Sequence, residues 1–410
     1  MAVVRPFCCI HPAKGLEARI AALPYDVYSK EEARLAVKGE PLSFLNIDRP
    51  ETMFPETQDM YADEVYQAAK KRLWKMVEEG SFVKEKEPVY YIYELSMQGR
   101  TQTGIVACTS VDDYTGQTIR RHENTREEKE QDRIRHVDTC GAQTGPIFLA
   151  YRAREEIRRI MEEVKAEAPE FSFVASDGIG HAGWKVSDPD RIQKLSGAFE
   201  KIDHIYIADG HHRAASAVKV GLKRRQAHPG YDGTEAFNYF LSVLFPDDEL
   251  KIMDYNRVVK DLNGLGEDAF LLKVREKFHV SLADEPVKPA CKGQMLMYLH
   301  SRWYCLSTRE EYIQDDPVEG LDVAYLQREL LTPVLGIKDP RTDSRIDFVG
   351  GIRGLKALKD RADQDMEAAF ALYPPSMEEL FRVSDAGLLM PPKSTWFEPK
   401  LRSGLFIHEI

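Results

Sequence analysis

Long hydrophobic runs are missing from this 410-residue chain: no stretch of about 18 apolar residues occurs, which excludes a typical membrane-spanning helix. Cysteine is sparse, with 6 residues (Cys8, Cys9, Cys108, Cys140, Cys291, Cys305) and no C-x-x-C pair. A zinc ribbon and a disulfide framework are thereby excluded, and the thiols read as reduced and mostly buried. A basic excess is also lacking. The 56 Lys and Arg are outnumbered by 67 Asp and Glu, giving a net charge of −11. Without a basic footprint, DNA is not the expected partner, and a small charged metabolite fits better. The opening MAVVRPFCCIHPAKG carries no basic stretch leading into a long apolar one, so the expected location is the cytoplasm. Internal repeats and low-complexity tracts are absent as well.

What remains is an ordinary globular balance, 43% hydrophobic and 30% charged, in a chain long enough for about two or three domains. Ser29 with Glu32 fits a capping box and predicts a helix running toward Val37. From Thr57 to Glu79, Tyr61, Val65, Ala68, Ala69, Leu73 and Met76 recur at helical spacing. Pro88–Leu95 and Gln102–Val111 are rich in β-branched and aromatic residues and flank Gly99, which predicts a hairpin. Thr125 with Glu128 predicts a second capping box, opening a helix to about His136. Strands are expected at Ile147–Tyr151, His204–Ala208 and Phe237–Phe245, and helices at Glu155–Glu167 and Arg213–Gln226. Further strands and helices fall within Pro289–Tyr304 and Asp347–Phe370. The class is mixed α/β (α+β). A turn-rich stretch at Asn256–Gly266 suggests a division into residues 1–255 and residues 256–410.

The chemistry concentrates in HIYIADGHHRAASAVK. An apolar strand runs into Asp209 and Gly210 and then into an Ala-rich segment of high helix propensity. The first turn of such a helix has unsatisfied N–H groups and the positive end of the dipole. Gly210 permits a sharp turn, and His211, His212 and Arg213 add donors at the same place, which is a recipe for holding a phosphoryl group. The dipole contributes roughly 0.3–1 kcal/mol and each charge-assisted hydrogen bond about 1.5–3 kcal/mol, whereas micromolar affinity needs about 8 kcal/mol. Cations from elsewhere must therefore join. The bland alternative is that Asp209 caps the helix and both histidines are surface residues.

A second cluster, IRRHENTREEKEQDR, holds Arg120, Arg121, His122 and Glu123 ahead of the expected helix. They suit phosphate cations and a carboxylate for a proton or a metal. The stretch carries six basic and five acidic residues, however, which nearly cancel, and a solvated helix face explains it as well. Lys393, Ser394 and Thr395, with Lys400 and Arg402 behind them, also suit phosphate oxygens, but without a Walker frame. Asp26, directly before a helix start, suits a general base, a magnesium ligand or a plain turn.

Several segments together resemble one family. RPF near the start, PYDV at Pro24–Val27, SFLNIDRPE at Ser43–Glu51, RRHENT with KEQDR, IADGHHRAASA, and MPPKSTWFEPKLRSGLF look like the DUF1015 family, in its order and from end to end. The D-G-x-x-R helix start is similar to the turn of ParB, of sulfiredoxin and of the archaeal ADP-dependent free serine kinase. The resemblance implies a ParB/sulfiredoxin-like nucleotide core at Asp209–Arg213, with the C-terminal α/β region sending its tail back to the site. Family members encoded beside serine-biosynthesis genes suggest serine or phosphoserine as the small substrate. Only Asp209, Gly210, His211 or His212, and Arg213 carry over residue by residue. The serine kinase's catalytic glutamate has no clear counterpart, and Glu123, Glu31 and Asp26 stay open. No cysteine lies in the turn, which speaks against sulfinic-acid chemistry.

The leading expectation is a phosphotransferase with ADP or ATP, or another phosphate donor, on the helix start. Arg213 would hold phosphates, His211 or His212 would bind or protonate an oxygen, and Glu123 or Asp26 would orient the acceptor. Mg²⁺, on Asp209 and Glu123, would bridge the phosphates, and Lys393 and Arg402 would close the site. The same groups could serve a phosphoserine phosphatase. The alternatives are a non-enzymatic ParB-like nucleotide switch and a hydrolase whose transition metal sits on His122, Asp209, His211 and His212.

Overall fold

The computed structural model describes residues 1–410 and resolves into two compact units. The first comprises residues 1–250 together with Pro399–Ile410, and the second residues 251–398. The mixed α/β class expected from the sequence holds in both.

The first unit is built on a nine-stranded sheet. Its strands are β1 (Val4–Arg5), β2 (Tyr90–Met97), β3 (Arg100–Ser110), β4 (Ile119–Arg120), β5 (Ile147–Tyr151), β6 (Phe171–Val174), β7 (Gly180–Val186), β8 (Ile205–Asp209) and β9 (Tyr239–Pro246). They lie in the order β4-β8-β5-β9-β3-β2-β7-β6, with β1 paired to β3. The expected hairpin forms: Met97 pairs with Arg100 across Gln98 and Gly99, both at positive φ. A two-residue loop of that shape matches the twist of the strands it joins. Central strands β5 and β9 are buried along their whole length, so they read as apolar runs rather than alternating ones.

Three helices matter for the site: α1 (Asp63–Glu78), α2 (Glu127–Cys140) and α3 (His211–Ala227). Helix α1 starts later than its periodicity suggests. Asp59 accepts the backbone N–H of Tyr61 at 2.9 Å, an Asx turn that holds the chain out of the helix. The Ser29–Glu32 capping box forms in full. The Thr125–Glu128 box does not: α2 begins at Glu127 after Arg126, and the Thr125 hydroxyl turns to the Glu130 carboxylate. An apolar cluster packs Phe44, Leu45, Ile47, Leu73, Met76 and Phe82 with Ile407 of the C-terminal tail. Gly404, at φ +83°, lets the tail pass Phe44; a Cβ there would lie 2.4 Å from the ring.

The second unit has a six-stranded antiparallel sheet: β10 (Tyr255–Val259), β11 (Phe278–Leu282), β12 (Gln294–Leu299), β13 (Arg302–Thr308), β14 (Ile346–Gly350) and β15 (Ala368–Leu372), ordered β11-β13-β12-β15-β10-β14. Asn256 lies inside β10, so the stretch read as a turn-rich linker opens as a strand. Helix Gly354–Gln364 covers this sheet through Leu358, against Val258, Leu296, Tyr298 and Ala369.

Candidate functional site

Strand β8 runs IYIAD between parallel β4 and antiparallel β5. The pairing slips by one residue at Ala208, where Ile207 faces Leu149 but Asp209 faces Phe148. Such a bulge re-aims the side chain that follows it. Gly210 then caps α3 in the left-handed region at φ +94°. A Cβ at Gly210 would lie 3.0 Å from the Arg213 guanidinium, so the glycine serves both the turn and the fold-back of Arg213. No side chain caps this helix, which leaves the N–H groups of its first turn for another acceptor.

Around this turn the structure gathers a charged cluster. Asp209 Oδ1 accepts the Gly210 N–H at 2.8 Å, and its Oδ2 receives the Lys400 ammonium at 3.0 Å. Burial alone would raise the Asp209 pKa, but Lys400 and Arg213 outweigh it and hold the carboxyl well below the usual range. Arg213 donates from Nη1 to the carbonyl of Pro146 at 2.5 Å and remains partly exposed. His211 is buried, with its ring edge-on to His122 at 4.5 Å between centroids. Its Nδ1 lies 3.9 Å from Glu123 Oε2, and its Nε2 is buried without a hydrogen-bond partner. Burial, and the neighbouring His122, push the His211 pKa well below its usual value, so it enters the site as a neutral imidazole. Burial likewise lowers His122 to about 4.

The remaining expected residues fall in different places. His212 turns away from His211 and accepts the Arg126 N–H at 3.0 Å through Nε2. Successive helix residues project about 100° apart, so the two histidines diverge. The chain nowhere brings three or more His, Cys, Asp or Glu side chains together for a metal ion, and the transition-metal set His122, Asp209, His211 and His212 is not formed. Magnesium on Asp209 and Glu123 meets a similar obstacle: both Asp209 oxygens already accept hydrogen bonds, one of them from a cation. These residues do not fit a resident Mg²⁺ as they stand. Arg120 bonds His204 at 2.9 Å, and Arg121 lies over the Tyr114 ring at 5.3 Å. Arg402, expected to close the phosphate site, is buried against Asp177 and bonds His181 at 3.1 Å. Lys393, Ser394 and Thr395 belong to the second unit. Asp26 is exposed, on a short 3₁₀ turn, and its charge reaches His212. Glu31 sits on the exposed side of the helix capped by Ser29.

Beside Arg213 opens a cleft lined by Tyr25, Asp48, Arg133, Thr144 and Ser403, which residue-by-residue reading missed. Asp48 and Arg133 are buried charges. Thr144 donates to Asp48 at 2.8 Å, Arg133 bonds Asp132 at 2.9 Å, and its guanidinium lies 4.0 Å over the Tyr25 ring. The clue lay in charged residues at core-facing positions of otherwise ordinary helices. The cleft draws on PYDV, SFLNIDRPE, KEQDR, the DGHHR start and the C-terminal KLRSG.

Fold and site thus define a mixed α/β protein whose uncapped helix start has Lys400 and Arg213 beside it and adjoins a cleft holding two buried charges. Residues 4–324 match the family described as "Protein of unknown function (DUF1015)", and the chain belongs to that family. Among solved structures it is similar to a free serine kinase variant in complex with AMP, at 15% identity over 74% of this chain and 91% of that one, with a TM-score of 0.36. A variant of the kinase in complex with ADP gives 15%, 75%, 92% and 0.36. SbnI with a C-terminal truncation, from Staphylococcus aureus, gives 10%, 72%, 82% and 0.38. No curated protein matches the chain.

Proposed function

We propose that this protein is a phosphotransferase. A nucleotide or other phosphate donor docks on the helix start at Gly210–Arg213, and a small hydroxyl metabolite enters the adjoining cleft. A ParB/sulfiredoxin-like nucleotide core around Asp209–Arg213 is part of this reading. So is free serine or phosphoserine as the metabolite, as the family resemblance implies. The observation that carries it is the uncapped first turn of the 17-residue helix α3, with Lys400 and Arg213 beside it.

Phosphoryl transfer asks mainly for positioning and for neutralising charge. The amides of the first turn and Arg213 hold the donor phosphates, and Lys400 moves from Asp209 onto a phosphate oxygen. Neutral His211 contributes a hydrogen bond, not a positive charge. Glu123, 3.9 Å from His211, takes the proton of the acceptor hydroxyl as its oxygen bonds to phosphorus and the bond to the departing phosphate breaks. Asp26 is exposed and lacks such a contact with His211. Asp48 and Arg133 offer opposite charges in the cleft to an amino acid's ammonium and carboxylate.

The test incubates the protein with ATP, ADP, pyrophosphate or phosphoserine, with and without serine and Mg²⁺, and follows the species by ³¹P NMR. Serine-dependent formation of a phosphomonoester supports the kinase direction, and phosphate release from phosphoserine the reverse. Binding without turnover in every arm removes the enzyme and leaves a nucleotide-binding regulator.

A further inference from the structure

Arg257 stands in the second unit as a buried cation without an acid. It is 3% exposed, at the centre of β10, and no carboxylate pairs with it. Its hydrogen bonds go to two neutral carbonyls, of Tyr255 and, at 3.1 Å, of Pro392. The Phe348 ring lies 5.4 Å from its Cζ. A guanidinium carries five N–H donors, and burying its charge among neutral groups is costly unless an anion compensates it. Each of the other buried arginines has an acid at hand: Arg49 bonds Glu51, Arg133 bonds Asp132, and Arg402 bonds Asp177.

Arg257 lines a small cleft with Tyr255, Lys292, Asp322, Tyr373 and Ser394. Neither acid on its wall bonds Arg257. Glu379 pairs with Lys292 at 2.6 Å and accepts the Ser376 N–H, while both Asp322 oxygens accept the Gly293 N–H. Lys393, at φ +56°, sends its ammonium over the Tyr255 ring and sets Ser394 on the cleft wall. The PPKST segment, which the proposed reaction does not use, thus finds a place.

We propose that this cleft is a second anion site, in which Arg257, with Lys292 and Ser394 on its wall, binds the carboxylate or phosphate group of a small metabolite. The site rests on the second unit alone, so its failure leaves the phosphotransferase reading untouched, and the reverse.

The test uses the full chain and two probes, inorganic phosphate and acetate, read by calorimetric titration and thermal unfolding. The background is Arg213→Ala with Lys400→Ala, which removes the two cations proposed to hold the donor phosphates in the first unit; any binding left there by the first-turn amides or Arg133 is common to this background and to its Arg257→Met derivative. At least one probe still binds in that background, and Arg257→Met weakens it at least tenfold. Binding of phosphate alone assigns a phosphate ligand, and of acetate alone a carboxylate. Without anion, Arg257→Met unfolds no lower than its parent, because it removes an uncompensated charge. A variant that unfolds lower and binds the probes as before would mark Arg257 as a tie between carbonyls and overturn the proposal. Absence of binding by both probes overturns it too. If Arg257→Met does not fold, Lys292→Met decides: weakening of at least threefold supports the site, and unchanged affinity sinks it.

Discussion

Replacing Lys400 with Ala probes the proposed donor site most directly. Lys400 Nζ lies 3.0 Å from Asp209 Oδ2, with the two side chains 15% and 32% exposed. At an effective dielectric of ~20 the bare attraction at that separation is ~5 kcal/mol, most of it offset by desolvation. The pair therefore adds about 1 kcal/mol to the resting fold at most. Its larger role comes with the donor. Lys400→Ala removes one charge-assisted contact to phosphate, roughly 1.5–3 kcal/mol, and leaves the Asp209 carboxylate facing the incoming anion. A net loss of about 2 kcal/mol corresponds to about 30-fold weaker binding. Isothermal titration with ADP or pyrophosphate measures it. Asp209→Asn in the same chain removes the repulsion and recovers part of the loss, a coupling that the double-mutant cycle isolates. Lys201→Ala, an exposed lysine of the first unit paired with Glu156 at 2.9 Å, is the control and leaves the affinity unchanged. Should Lys400→Ala bind within twofold of the parent, the assignment of Lys400 to the donor phosphates is wrong.

Further outcomes follow from the same geometry. Gly210→Ala forces an L-residue to φ +94° and presses on Arg213, so it costs about 1–2 kcal/mol of stability and weakens ADP binding; calorimetry that finds both intact refutes the cradle. Glu123→Gln lowers turnover by about 100-fold or more with donor affinity preserved, and equal losses in both would instead make Glu123 a binding group. His122 carries a pH signature. Its folded pKa is lowered by burial to about 4, so the unfolded chain takes up the proton first, and stability present above the ordinary value of 6.5 is lost as pH falls toward 4. The full contribution is about 3 kcal/mol. His122→Gln should flatten the fall in unfolding temperature between pH 7 and pH 5, and an unchanged slope would show that His122 does not titrate this way.

The parts legible in advance were those fixed by neighbours in sequence. The hairpin at Gly99, the Ser29–Glu32 capping box, β5 at Ile147–Tyr151 and the strand–turn–helix at Asp209–Arg213 each follow from propensity and turn chemistry within a few residues. The Thr125–Glu128 box failed although its spacing is equally good, because Thr125 found a partner in Glu130 and α2 could begin later. Among the cations of the C-terminal segment, composition offered Lys393, Lys400 and Arg402 alike to phosphate oxygens and set Lys393 and Arg402 to close the site. Folding instead gave Lys400 to Asp209, buried Arg402 against Asp177 and His181, and left Lys393 over Tyr255.

By itself, then, the order of residues determined the helix start, its glycine, its donors and the family, since backbone sterics and local hydrogen bonding act over three or four positions. The three-dimensional chain alone decided which distant charge meets Asp209, that Asp48 and Arg133 share a cleft with Arg213, and that Arg257 is buried with no acid beside it. Those outcomes depend on sheet order and on the return of Pro399–Ile410 to the first unit. Pairings so far apart along the chain are set by the packing of whole faces, which no short window of sequence contains.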